Sequence, residues 1–274
     1  MGLLALIVSS WAFKNPRDIL TPTRRGVAID AGSSHTSFTL YEWPSMNAWL
    51  QPNELKLVGN CYENFGIDDF RSDPDIVGRK FRPCLDAIYE LLQMNMTDTV
   101  ESAVSVYLGA TAGMRLLNLT EPDVAEKLLK SAETAILASG GWQVADNDLR
   151  ILSGSEEAIF GWISANIFAG SLGAENTPTT FSALDLGGGS AQKINSCKGK
   201  NCSDWQTLYL FGGVYDVTSS SALCYGLEEA MKRFTAGLIY KSYSRNNKTL
   251  QTAITNPCLD RRFTRYASFH FHTL

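Results

Sequence analysis

Two short segments of the chain combine a carboxylate with small and hydroxyl-bearing residues. The first begins at Asp30 and reads DAGSSHT, and the second begins at Asp185 and reads DLGGGSAQ. Small residues allow backbone N–H groups to approach a phosphate closely, and serine hydroxyls add further donors. An acid at the head of such a loop can hold a metal ion through water. Each segment alone fits an ordinary glycine-rich turn, but the two together predict a site for a metal-bound phosphate.

The composition and the motifs exclude several other kinds of site. Neither segment matches the P-loop pattern or the dinucleotide fingerprint, which disfavours a P-loop nucleotide site and a Rossmann dinucleotide site. The net charge of −4 disfavours a broad basic surface, so we expect no nucleic-acid partner. Six cysteines without a CxxC pair, together with three histidines, favour disulfides over structural zinc. The spacing alone leaves the 15 pairings of six cysteines open.

The elements around these segments predict an α/β fold. Val27 to Asp30 and Val104 to Leu108 read as buried strands that each lead into a loop, and Ala183 to Leu186 reads as a further strand with a loop at its end. A further strand pair is predicted at Leu208 to Phe211 and Val214 to Val217. Strands that alternate with helices indicate α/β architecture, and the repeated strand–acid–loop pattern predicts two lobes with a ligand between them.

Three groups of residues predict helices between and after these strands. Ser155-Glu156-Glu157 leads one helix. Two others are predicted from apolar residues at helical spacing. The first set is Phe81, Cys84, Leu85, Ile88, Leu91 and Leu92, and the second is Leu223, Leu227, Ala230, Phe234 and Leu238.

Four segments, in order, resemble the first four conserved regions of the ecto-apyrases, the ecto-nucleoside triphosphate diphosphohydrolases. They are DAGSSHT, GATAGMR from Gly109, GSEEAIFGW from Gly154 and DLGGGSAQ, and the resemblance covers about residues 26–230. It implies an actin-like (ribonuclease H-like) two-lobed α/β fold with an incomplete second lobe. We expect a first lobe at 26–152, a partial second lobe at 153–262 and an irregular tail at 263–274. Residues 1–25 are interpreted as a clipped signal anchor, with a buried strand or an expression artefact as alternatives.

The resemblance implies metal-dependent hydrolysis of nucleoside triphosphates and diphosphates such as ATP, ADP, UTP and UDP, with Ca²⁺ or Mg²⁺ as cofactor. It further implies a location at the plasma membrane facing the extracellular space, or in the secretory lumen. In the complete protein an N-terminal anchor would contact the membrane. The sequence does not decide whether the protein forms a homo-oligomer. One alternative is a catalytically impaired, truncated isoform that acts as a binding or interaction partner. Another is a different phosphatase or kinase of the actin-like superfamily, against which GATAGMR and the EE-x-x-x-GW pattern argue.

The family's site residues transfer to matching positions. Asp30 and Asp185 resemble the acids that position the metal through water, and Glu157 resembles the base that activates water. Without the motif, Glu157 also fits a solvated acid of a first helical turn. The remaining positions form three groups: phosphate-binding loops (Ser33, Ser34, His35, Gly187, Gly188, Gly189, Ser190), water-orienting side chains (Ser190, Gln192), and the lining of the phosphate site (Thr111, Arg115).

Some positions depart from the family pattern. Ala158 replaces a usual Gly, Gly189 a usual Ala and Ala191 a usual Thr, and we expect the first and last changes to affect the water site. The resemblance also implies a disulfide between Cys61 and Cys84. It leaves the pairing of the other four cysteines open.

Overall fold

The computed structural model describes residues 23–44, 54–94, 104–173, 179–197, 202–246, 248 and 254–258. The expected anchor (apart from residues 23–25) and the expected tail lie outside these residues. The described residues up to Leu227 form one compact unit, and those from Glu228 onward form a second. The expected lobe boundaries stay a prediction. No helix in these ranges is long and apolar enough to cross a bilayer.

The first sheet has six strands in the order β3-β2-β1-β4-β5, with β6 also paired to β4. Strand β1 pairs antiparallel with β2 and parallel with β4, so it lies in the middle of the sheet. The strands are β1 (Thr23–Ala31), β2 (Thr36–Pro44), β3 (Lys56–Glu63), β4 (Val104–Ala110), β5 (Trp142–Gln143) and β6 (Leu149–Ile151). All seven residues of β4 are buried, as expected of a strand covered on both faces.

Helices α1 (Ile76–Met94), α2 (Ala112–Thr120) and α3 (Pro122–Ala138) belong to the first core. The predicted apolar stripe of α1 is confirmed, since Phe81, Cys84, Leu85, Ile88 and Leu92 are all buried. A disulfide joins Cys61 of β3 to Cys84 of α1, which confirms the expected pair. A second disulfide joins Cys197 to Cys202, while Cys224 and Cys258 carry thiols.

The second sheet has four antiparallel strands in the order β7-β8-β10-β9. They are β7 (Ala183–Leu186), β8 (Ser190–Ser196), β9 (Trp205–Leu210) and β10 (Gly213–Leu223), so the predicted strand pair is confirmed. Helix α4 (Gly154–Phe168) packs on this sheet. Its buried residues share a core with Ala28, Trp43 and Tyr107 of the first sheet. Helix α4 thereby packs against residues of both sheets.

The helix predicted from Leu223 starts later than expected. Helix α5 spans Leu227–Arg245, and Leu223 is instead the last residue of β10, where it pairs with Ser190. The apolar spacing could not separate the two elements because the end of a strand contributes the same residue types.

The two sheets repeat one pattern of strands. Strands β1 and β7 each carry the aspartate and are followed by a loop and by the antiparallel strands β2 and β8. On its other side β1 has the parallel partner β4, whereas no strand of the described residues occupies that place beside β7. The predicted α/β architecture is therefore confirmed. Among the residues described, the second sheet has no parallel strand beside β7 that would correspond to β4.

Candidate active site

A cleft of about 360 Å³ lies where the two predicted loops meet. Its lining includes all but one of the residues singled out from the sequence: Asp30, Ser33, Ser34, His35, Thr111, Glu157, Asp185, Gly187, Gly188, Gly189, Ser190 and Gln192. The remaining residue, Arg115, does not line the cleft but donates a hydrogen bond to Glu157. The fold thus brings together residues as far apart in the sequence as Asp30 and Gln192.

The segment that follows β3 contacts the first loop and supports it. The hydroxyl of Thr36 donates to the Phe65 carbonyl over 2.9 Å. A Cβ atom on Gly66 would lie 2.6 Å from the Ser33 carbonyl oxygen, so only glycine fits there. At the rim, the ring of His35 stacks on Tyr62 with centroids 5.3 Å apart. Residues 65 and 66 therefore fix the backbone of the loop, a role that no motif or spacing in the sequence predicts.

The second loop is held by the segment that follows β10. The Cys224 N–H donates to the Gly189 carbonyl over 2.8 Å, and the Leu227 N–H donates to the Gly187 carbonyl over 2.9 Å. Gly226 packs so closely on the Gly187 and Gly188 carbonyls that a Cβ atom would overlap them. Both loops are thus supported by a glycine that contacts a loop carbonyl. The residues that give this support belong to the segment LCYG, Leu223 to Gly226, and to Leu227 directly after it.

Helix α4 carries two neighbouring glutamates with different roles. Ser153 is its N-cap, and its hydroxyl accepts from the Glu156 N–H while the Glu156 carboxylate accepts from the Ser153 N–H, which forms a capping box. Glu156 also pairs with Arg150 over 2.7 Å. Burial raises the pKa of Glu156, but the hydrogen bonds from Ser153 and Arg150 more than offset it, so that pKa lies below its ordinary value. Glu156 therefore stabilises the helix end as an ion.

Glu157 instead faces the cleft, where three side chains contact its Oε2. Arg115 Nη2 donates over 2.7 Å, Gln192 Nε2 over 2.6 Å and Ser190 Oγ over 3.4 Å. Arg115 and Gln192 also donate to Ser190 Oγ over 2.9 and 2.6 Å. The side chains of Arg115 and Glu157 are only 12% and 13% exposed. Glu157 is therefore not the solvated first-turn acid that the sequence without the motif also allows.

Arg115 is positioned from the first sheet. It lies on α2, which follows β4 through Thr111, and the Thr111 N–H donates to the Ala31 carbonyl over 3.1 Å. Arg115 Nη1 donates to the Leu152 carbonyl over 3.1 Å. The ion pair between Arg115 and Glu157 consequently joins an element of the first sheet to the helix that packs on the second.

Opposing influences act on the pKa of Glu157. Burial raises that pKa, the Arg115 guanidinium lowers it, and the charges of Asp185 and Asp30 raise it again. The net result is a pKa above the ordinary value for glutamate. A buried carboxyl with a raised pKa in a cleft is typical of a general base or acid.

Asp30 and Asp185 fit a hard divalent cation by their chemistry and by their place. Both line the cleft, and both add negative potential at Glu157. Carboxylate oxygens are the donors that Ca²⁺ and Mg²⁺ prefer. Among the described residues no three His, Cys, Asp or Glu side chains form a complete ligand set. A cation between these two acids would therefore take most of its ligands from water and phosphate oxygens.

The three departures from the family pattern differ in their surroundings. Ala158 is buried in the core shared by the two sheets and lines the cleft. A Cβ atom on Gly189 would lie 2.8 Å from the Ala112 methyl group, so glycine suits this position. Ala191 pairs with Leu186 and Ala222, on the face of β8 opposite Gln192, which argues against a direct effect on the water site.

Comparison with known proteins agrees with this geometry. The profile of the GDA1/CD39 (nucleoside phosphatase) family matches residues 20–272. Ectonucleoside triphosphate diphosphohydrolase 3 of Homo sapiens is 32% identical over 267 residues, which cover 90% of this chain and 47% of that protein. Ectonucleoside triphosphate diphosphohydrolase 8 of Gallus gallus is 34% identical over 283 residues, which cover 96% and 53%. The chain thus spans about half the length of these relatives.

A solved structure of a nucleoside triphosphate hydrolase from Neospora caninum has the same fold. It superposes with a TM-score of 0.59 at 18% identity and covers 82% of this chain and 48% of that one. The predicted actin-like α/β fold is thereby confirmed. Since the family profile matches nearly the whole chain, this protein is a member of the GDA1/CD39 nucleoside phosphatase family.

Proposed function

We propose that this chain hydrolyses the terminal phosphoanhydride bond of nucleoside triphosphates and diphosphates, including ATP, ADP, UTP and UDP. The observation that carries the proposal is the position of Glu157. Its Oε2 is held by Arg115 and Gln192 in a cleft between two glycine- and serine-rich loops. Loops of this kind bind phosphate, and a fixed carboxylate beside them can activate water.

The chemistry needs a nucleophile in line with the leaving oxygen more than it needs covalent help. The oxygen of a water molecule attacks the terminal phosphorus, the bond from that phosphorus to the bridging oxygen breaks, and Glu157 takes the proton of the water. The products are inorganic phosphate and a nucleotide one phosphate shorter. Gln192 Nε2 donates to Glu157 Oε2 over 2.6 Å and would hold that oxygen in place for the proton transfer.

Each loop has a distinct task in this proposal. The backbone N–H groups and hydroxyls of Ser33, Ser34 and His35 would bind one side of the phosphate, and those of Gly188 to Ser190 the other. Thr111 lines the cleft between them. Asp30 and Asp185 would hold Ca²⁺ or Mg²⁺ through water, and such a cation neutralises the charge of the phosphate oxygens.

The location that we propose is the extracellular side of the plasma membrane or the secretory lumen. Two disulfides support it, because such bonds persist in oxidising compartments. The names of the relatives, which are ectonucleotide hydrolases, agree with it. Asn118-Leu119-Thr120 has the Asn-x-Thr pattern of an N-glycosylation acceptor, so material secreted from eukaryotic cells should lose mass on treatment with an N-glycosidase.

The decisive experiment measures phosphate release from ATP and ADP by the purified chain, with Ca²⁺, with Mg²⁺ and with excess EDTA. Hydrolysis should require the cation, and AMP, which has no phosphoanhydride, should not be cleaved. Asp30→Asn and Asp185→Asn should each raise the cation concentration for half-maximal rate. Rates that are unchanged in EDTA would exclude the metal, and nucleotide binding without turnover would identify the chain as a binding protein.

A further inference from the structure

The first turn of α4, which carries Glu157, contacts the last part of β10 at two points. The hydroxyls of Ser155 and Ser219 are 2.7 Å apart and share a hydrogen bond. Two residues further along the strand, the side chain of Ser221 lies directly against the Cα of Gly154, the first residue of the helix. The glycine that opens the GSEEAIFGW segment is therefore a packing surface for a strand.

Gly154 leaves no space for a larger residue. A Cβ atom at this position would overlap both Cβ and Oγ of Ser221. Rotation of the Ser221 side chain could move Oγ, but its Cβ is fixed to the strand. An added methyl group would consequently push the first turn of α4 away from β10.

Ser221 also contacts the other side of the site. Its Oγ accepts from Gln192 Nε2 over 3.3 Å, and the two residues are partners in the β8–β10 register. The same Gln192 nitrogen donates to Glu157 over 2.6 Å. Ser221 thus touches the helical turn that carries the carboxylate and the side chain that binds it.

We propose that Gly154 and Ser221 are positioning residues that set where Glu157 and Gln192 lie relative to each other. Neither residue needs to touch the substrate. The inference rests on the proposed function, because it assigns to this contact the alignment of the base with its hydrogen-bond donor. A displacement of about 1 Å can cost on the order of 100-fold in rate, so the contact is expected to affect turnover more than binding.

The test adds a methyl group on one side of the contact and then removes the opposing side chain on the other. Gly154→Ala should lower kcat at least ~10-fold and leave KM for the metal nucleotide within about threefold. It should also lower Tm, although alanine favours a helix over glycine and would raise Tm if the site had space. Removal of the opposing side chain in the double variant Gly154→Ala/Ser221→Gly should restore both kcat and Tm most of the way. Ser221→Gly alone completes the cycle.

The matched control is Ser220→Ala on the same strand. Ser220 pairs with Lys193 on the opposite face of the sheet, so this variant should leave kcat and KM unchanged. If Gly154→Ala has wild-type kcat and a raised Tm, the contact does not position the base. The same conclusion follows if the double variant recovers nothing, or if Ser220→Ala lowers kcat as much as Gly154→Ala.

A second readout does not depend on hydrolysis. Titration of the ¹³C-labelled Glu157 carboxyl by NMR should give a shifted curve in Gly154→Ala and a curve close to wild type in the double variant. If the wild-type chain releases no phosphate, the proposed function fails while this titration still tests the contact. Identical titration curves in wild type and Gly154→Ala would overturn the inference whatever the activity.

Discussion

Replacement of Arg115 by methionine tests whether its guanidinium keeps Glu157 ionised in the cleft. The side chains are of similar length, but methionine removes the donors to Glu157 Oε2 at 2.7 Å, to Ser190 Oγ at 2.9 Å and to the Leu152 carbonyl at 3.1 Å. Both members of the ion pair are largely buried. The variant therefore leaves a carboxylate that water cannot fully solvate.

The expected loss of stability follows from that burial. Removal of one partner of a buried ion pair typically costs about 3–5 kcal/mol, which is a large part of a total stability of about 5–15 kcal/mol. Because Gln192 still donates to Glu157, we expect a value near the lower end. The double variant Arg115→Met/Glu157→Gln contains no unpaired charge and should recover at least ~1 kcal/mol of the loss. Arg82→Met, in an ion pair whose side chains are 58% and 53% exposed, should cost no more than about 0.5 kcal/mol.

The sign of the pH dependence follows from the pKa of Glu157. The pKa is already raised by burial, and Arg115 lowers it, so loss of Arg115 raises it further. The folded state then holds a proton that the unfolded state has released, and stability falls as pH rises from the unfolded pKa of about 4.3 through the folded pKa. For the same reason the acid limb of kcat/KM should move to higher pH in Arg115→Met.

Urea unfolding of the wild type, Arg115→Met, Glu157→Gln and the double variant between pH 4 and 8, with pH–rate profiles, measures these effects. The reasoning is refuted if Arg115→Met is as stable as wild type at pH 8. It also fails if the double variant is no more stable than the single one, or if the acid limb does not move.

Three further predictions concern single features of the site and its scaffold. Glu157→Gln should lower kcat at least ~10²-fold in steady-state kinetics, with nucleotide binding retained. Glu156→Gln should instead reduce stability by about 1 kcal/mol in unfolding experiments and keep kcat within a few-fold. A larger loss of kcat in Glu156→Gln than in Glu157→Gln would make Glu156 the base. Peptide mapping without reduction should recover Cys61 linked to Cys84, and replacement of both by serine should cost about 3 kcal/mol in urea unfolding; two free thiols in secreted protein would contradict the pairing. Gly189→Ala should raise KM for the metal nucleotide, because its methyl group would displace the second loop; an unchanged KM would show that the loop has space to move.

Much of the site could be predicted because its signals are local in sequence. Each aspartate lies near the end of a strand and a glycine follows two residues later, so the two segments together predict that Asp30 and Asp185 belong to one site. The apolar stripe of α1 is equally local, because a helix brings residues three and four apart to one face. The structure buries five of the six residues of this stripe, leaves Leu91 partly buried and places both aspartates in the cleft.

Contacts that depend on distant parts of the chain could not be predicted in this way. Arg115 and Glu157 are 42 residues apart, and no periodicity links them. Without the resemblance the sequence does not separate Glu156 from Glu157 as the base. The capping box and Arg150 at Glu156, and the contacts of Arg115 and Gln192 with Glu157, distinguish the two. Ser221 lies in a run of three serines, and only the strand register shows which of them faces Gln192.

The arrangement of charges suggests how base and substrate are coupled. Without a cation, Asp30 and Asp185 both raise the pKa of Glu157 and favour its protonated form, which cannot accept a proton. Neutralisation of the two aspartates would remove these contributions and leave the Arg115 guanidinium to lower the pKa. Glu157 would then ionise more completely when a metal nucleotide fills the cleft than when the cleft holds water alone. On this reasoning the two aspartates proposed to hold the cation also favour protonation of Glu157 while the cleft is empty, so Asp30→Asn should lower the pKa of Glu157 in the absence of nucleotide.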